Sequence, residues 1–156
     1  MADSRKARIQ QSLVTRLKTI TNANGYDTDV KNVFSDEIPM GLDLDSYELP
    51  AVLVIAGPDK PKHEHQCIKG RWQIEVQLIH LPDVSDTVML NFVRDVNKAV
   101  YANSPTVHRN DAWRTFDGQP TAIWILDLDT DLNMIDGNRF AGVTYLVEYH
   151  STPTDL

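Results

Sequence analysis

At 156 residues, 42% apolar and 24% charged, the chain is the right size for one domain with its own core and too apolar for a disordered polymer. Its formal charge of −7 argues against a broad phosphate-binding surface, because like charge repels a nucleic-acid backbone. A single cysteine, Cys67, excludes an intrachain disulfide and a zinc site built from several thiolates.

The charge is uneven: residues 1–18 hold Arg5, Lys6, Arg8, Arg16 and Lys18 against Asp3, whereas the remainder has ten basic and twenty-one acidic side chains. Ile9, Leu13, Leu17 and Ile20 recur at helical spacing, with Ala7 and Val14 widening the stripe. That predicts a first helix capped by Asp3 or Ser4 and ended near Gly25. Its basic face reads first as solvated surface. Thr28 to Ser35 predicts an edge strand, and Asp36 to Glu48, broken by Pro39 and Gly41, a loop. Pro50 can open a buried strand, Ala51 to Ile55, but cannot sit in its middle. Pro58 to Pro61 then reads as a connection.

A long strand from Ile68 to Leu81 follows, with Trp72, Ile74, Val76 and Leu78 facing the core and Arg71, Gln73, Glu75 and Gln77 facing water. Pro82 stops it. Asp83 or Ser85 caps a second helix reaching about Asn103, with Val88, Phe92, Val96 and Val100 as its buried stripe. Thr106 to Pro120 reads as a polar connection pinned by Trp113 and Phe116. If Asp136-Gly137 is a two-residue turn, Ile135 faces Asn138, and the pairing continues as Leu128 with Tyr145, Leu126 with Val147 and Trp124 with Tyr149. These aromatics, with Trp72, are expected in the core. Asp127, Asp129 and Asp131 fall on the other face, with Ile125 opposite Glu148, so that face is mainly hydrophilic near the turn. The fold expected is a single α+β domain over 1–156: a four- or five-stranded, mainly antiparallel sheet packed with two helices, fraying from about residue 152.

Chemistry is sparse in these patterns. Asp127-Leu128-Asp129-Thr130-Asp131 opens like a calcium loop, but Leu132 stands where the turn needs glycine and Asn138 where a bidentate acid closes the site. His63, His65 and Cys67 would share one strand face, yet no closing ligands follow. There is no nucleophile elbow, phosphate loop or dinucleotide fingerprint. We therefore expect no catalytic residue, no metal and no cofactor. The longest apolar runs fall far short of the ~20 residues of a membrane helix, and charges stand where a leader would be apolar. A soluble intracellular protein is expected, and the residues alone describe a binding or assembly unit.

The basic amphipathic first helix, Leu49-Pro50-Ala51-Val52-Leu53-Val54, Trp72-Gln73-Ile74-Glu75-Val76, the second helix and Val143-Thr144-Tyr145-Leu146-Val147-Glu148-Tyr149 together resemble the tail terminator proteins of long-tailed bacteriophages, the type known from phage lambda. The resemblance spans most of the chain and rests on layout rather than on a catalytic motif. It implies a virion protein that forms a homo-hexameric ring on the head-proximal end of the tail tube. Such a ring stops polymerisation of the tail tube protein and meets the head-side connector and neck proteins. DNA passes through without specific binding. On this reading Arg5, Arg8, Arg16, Arg71, Gln73, Glu75 and Gln77 are candidates for subunit contacts, and Asp127, Asp129 and Asp131 for the lumen or rim. Another neck or tail-completion component, a secretion-system adaptor, and a small enzyme with an unrecognised site are the alternatives.

Overall fold

A computed structural model describes residues 3–35, 47–65, 67–101, 121–129, 134–135 and 137–154. Two helices, α1 (Arg5–Leu17) and α2 (Asp86–Val100), pack on a sheet of seven strands. Five strands span it in the order β1 (Asn32–Ser35), β2 (Ala51–Asp59), β4 (Cys67–His80), β7 (Asn138–Ser151) and β5 (Thr121–Asp129). Two short strands complete it: β3 (Lys62–Glu64) on β4 and β6 (Met134–Ile135) on β7. Among the described strands only β1 and β2 pair in parallel. The α+β class expected from the sequence is the one observed.

Each helix starts where its capping chemistry sits. Ser4 Oγ accepts from the Ala7 amide and Ser85 Oγ from the Val88 amide, both at 3.3 Å, satisfying one orphan N–H apiece. The first helix stops at Leu17, earlier than expected. A short 3₁₀ turn, Asn22–Asn24, takes over, and Gly25 with φ of 82° caps that turn instead. The edge strand β1 is also shorter than Thr28 to Ser35, because the Thr28 amide is drawn to Asp95, a buried carboxylate on α2, at 2.8 Å.

One continuous core lies between the helices and one face of the sheet. Ile9, Leu13, Leu17 and Ile20 meet Val52, Val54, Trp72, Ile74, Val76, Leu78, Tyr145 and Tyr149 there. The stripe on α2 is rotated from the expected one. Val88 is exposed, while Met89, Phe92, Val93, Val96, Ala99 and Val100 are buried. In β2 the strand runs through Pro58 to Asp59. Its pairing with β1 ends at Val54 and its register with β4 shifts beyond Ala56, so the missing proline amide breaks no regular ladder. His65 takes φ of 55° between β3 and β4, so His63, His65 and Cys67 do not share a strand face.

The final hairpin keeps Ile135 opposite Asn138, around Gly137 at φ of 80°. Beyond it the register departs from the uniform count. Leu128 faces Val143, a bulge falls between Ile125 and Asp127, and then Ile125 faces Tyr145 and Trp124 faces Leu146. A one-residue shift exchanges the faces. Trp124 therefore sits half-buried on the face opposite buried Ile123, while Leu126, within the bulge, and Leu128, on the helix side, are exposed. Trp113 and Phe116 lie outside the described residues.

His80 closes β4, edge-on to Phe92 with ring centroids 6.0 Å apart, and its Nδ1 accepts from the Leu81 amide at 2.8 Å. Burial lowers its pKa below the ordinary value, with Asp83 opposing weakly. A protonated ring cannot accept at Nδ1. The unfolded chain therefore takes up the proton first as pH falls below about 6.5. The contribution is fully present above that pH and lost as pH falls through the folded-state value. Urea unfolding between pH 5 and 8 should show this loss, and His80→Gln should flatten it relative to the native chain.

Candidate functional site: the helix-free face of the sheet

Among the described residues both helices cover the same side of the sheet, so the alternate residues of β4, β7 and β5 form a second, helix-free surface. Arg71, Gln73, Glu75 and Gln77 take this side because their neighbours Trp72, Ile74, Val76 and Leu78 are in the core. Across the ladder, Arg71 faces Glu148, Gln73 faces Leu146 beside Trp124, Glu75 faces Thr144 beside Asp127, and Gln77 faces Gly142 beside Asp129. The two groups of candidates, polar residues of the long strand and aspartates of the last hairpin, are therefore one surface three strands wide. Asp131 lies outside the described residues.

Charge is graded along this face. At one end Lys69 Nζ and Arg71 Nε hold Glu148 at 3.3 and 3.5 Å. Towards the other end Glu75, Asp127 and Asp129 converge around the small residues Thr144 and Gly142. A Cβ on Gly142 would lie 3.8 Å from the Asp129 Cβ and 3.9 Å from Glu75 Oε1. Gln77 Nε2 donates to Glu75 Oε1 at 2.8 Å, which fixes that carboxylate in the sheet. The result is a cluster of three carboxylates on adjacent strands, whose charge disfavours phosphate. Among the described residues, no group of three or more His, Cys, Asp or Glu side chains is placed to hold a metal ion.

The first helix contributes less to the outer surface than its sequence suggests. Arg5 and Arg16 are 2% and 8% exposed, so neither can present a contact to another subunit. Arg16 turns inward and donates to the Val100 carbonyl at 2.8 Å, meeting the negative end of α2. Burial lowers its pKa from the ordinary arginine value. Arg8 is half-buried and donates to the Asp3 carbonyl, leaving Lys18 as an exposed cation at the end of α1.

Another polar network was not legible in the pattern. Asp59, at the end of β2, accepts from the Tyr149 hydroxyl and pairs with Lys6 at 2.6 Å. Burial first, then the bond to this carboxylate, pushes the Tyr149 hydroxyl well above the ordinary phenol range. Lys6 also stands 5.5 Å from the Trp72 ring centroid, so α1, β2, β4 and β7 are tied at one point. Nothing in the spacing of residues 6, 59 and 149 announces this meeting.

The chain matches no family model and no curated protein. No helix among the described residues is long and apolar enough to cross a membrane.

Proposed function

We propose that the protein is a non-catalytic structural component of a long-tailed phage virion. Copies of it form a ring on the head-proximal end of the tail tube, ending polymerisation and offering a surface to the head-side proteins. The observation that carries this reading is the one-sided sheet, whose helix-free face brings Glu75, Asp127 and Asp129 together. A wall along which DNA slides must not hold phosphates. Fixed carboxylates on a rigid strand keep the backbone at a distance, whereas fixed cations would bind it and release counterions. We place this face towards the DNA path and the helices on the outside of the ring.

Electron microscopy of tails made with and without the protein tests the reading. With it, tubes end at one uniform length under a ring at the head-proximal end; without it, tube lengths scatter and the ring is missing. Equally uniform tubes in both preparations, with no ring, refute it. The double variant Glu75→Lys/Gln77→Lys should still cap tails but slow DNA release in an ejection assay. Unchanged release kinetics would take this face off the DNA path.

A further inference from the structure

We infer that copies of this chain join head to tail, the β5 edge of one seating on the α1 and β1 edge of the next. This rests on the ring reading above and names the contact that closes it. β5, outermost of the described strands, carries Ile125, Leu126 and Leu128 at 44%, 50% and 42% exposure. Ile125 and Leu128 pair with Tyr145 and Val143, both fully buried, so they lie on the helix side of the sheet yet uncovered. Leu90, 48% exposed, extends the strip. It shares a flank of α2 with Asp86 and Asn97, which reach β7 through Arg139 and Tyr145. Three large apolar side chains on one edge strand form an association surface rather than ordinary scatter.

The opposite edge has the complementary form. Here α1 overhangs β2 and leaves an open groove of about 670 Å³, lined among others by Lys6, Val14, Lys18, Ser35, Ala56 and Trp72. Because β1 pairs with β2 only as far as Val54, no described strand covers the outer edge of β2 from Ile55 to Asp59. The chain direction also matches. Following the ladder from β2 through β4 and β7, β5 runs opposite to β1 and β2. Set beside a neighbour's β2 with the helices on the same side, it makes an antiparallel pair. Ile125 and Leu128 then face the side of the sheet that carries Val14.

Charge selects this arrangement over a symmetric one. Two β5 strands paired with each other would bring Asp127 and Asp129 of both copies together, and like charges across a ladder destabilise it. Against the other edge the aspartates stay on the helix-free face and meet no second copy of themselves. A contact between two different surfaces repeats around an axis and can close into a ring.

Cysteine cross-linking tests the contact, since replacing Cys67 by serine leaves no other thiol. In that background Leu126→Cys and Lys18→Cys change exposed residues. Oxidised together, alone in solution or on tails, the two variants should give a linked dimer that neither gives separately. The double variant should give a ladder ending at the ring. Leu126→Cys linking to itself overturns the head-to-tail contact. No link in either setting, while the protein still caps tails, overturns the contact and leaves the ring reading standing. A protein that neither oligomerises nor caps tails removes both.

Discussion

Replacing Gly70 with alanine should destabilise the protein at or above the upper end of the ~1–3 kcal/mol range for overpacked cores. Gly70 lies directly opposite Tyr149 in the β4 and β7 ladder. A Cβ there would stand 2.2 Å from Cε1 and Cζ of that ring and 2.5 Å from its hydroxyl. The ring cannot swing aside cheaply, because it is fully buried and its hydroxyl is held by Asp59, which Lys6 holds in turn. A loss of about 3 kcal/mol corresponds to a Tm lowered by roughly 6–12 °C in a domain of this size. Gly142→Ala is the matched control on β7. Its new methyl would meet nothing closer than 3.8 Å, an ordinary contact, and its melting should barely move. Equal shifts for the two variants would refute the packing of Tyr149 on Gly70. In a Tyr149→Ala background, Gly70→Ala should add almost nothing, the signature of two residues acting through one contact.

The second large effect is Trp72→Ala, for which a loss of about 3–5 kcal/mol is expected. Trp72 is 3% exposed within the core, and its Nε1 donates to the Gly57 carbonyl at 3.2 Å. Truncation opens a cavity and leaves that carbonyl without the indole. Gln73→Ala, one residue on and on the opposite face, should stay within about 0.5 kcal/mol. Chemical denaturation of both variants measures the difference. Comparable losses would mean that the two faces of β4 had been exchanged.

Where alternation was strict, the sequence was readable residue by residue. In β4 every second side chain from Trp72 to Leu78 is apolar, a period of two fixes the face, and the core residues followed directly. The stripe Ile9, Leu13, Leu17 and Ile20 was equally plain, and all four are fully buried. In β5 the pattern failed, because Ile123-Trp124-Ile125-Leu126 is apolar without a break and cannot reveal which residue is in. Face can then be counted only from the turn, and the bulge before Asp127 moves Trp124 off the core side. The polar face was half legible. Its members on β4 and β5 could be named separately, but their union depends on β7 lying between them, a matter of strand order that no local pattern records. Arg5 and Arg16 misled for a different reason. Their charge predicts solvent, and burial is tolerable for Arg16 because a carbonyl at a helix end receives its guanidinium.

The place of β7 has a further consequence, for biosynthesis. It lies between β4 and β5, joining Ile68 to Ser151 at one end and His80 to Arg139 at the other. An interior position of the sheet is thus occupied by the strand that leaves the ribosome last among those described. A nascent chain carrying both helices and β4 still lacks its central ladder, and the core residues Val143, Tyr145, Val147 and Tyr149 are not yet made. Contacts across so long a stretch of chain form slowly, because loop closure precedes any gain from pairing. Stalled ribosomes or fragments ending before residue 138 should yield unfolded, protease-sensitive products, and the domain should fold only once β7 has left the ribosome.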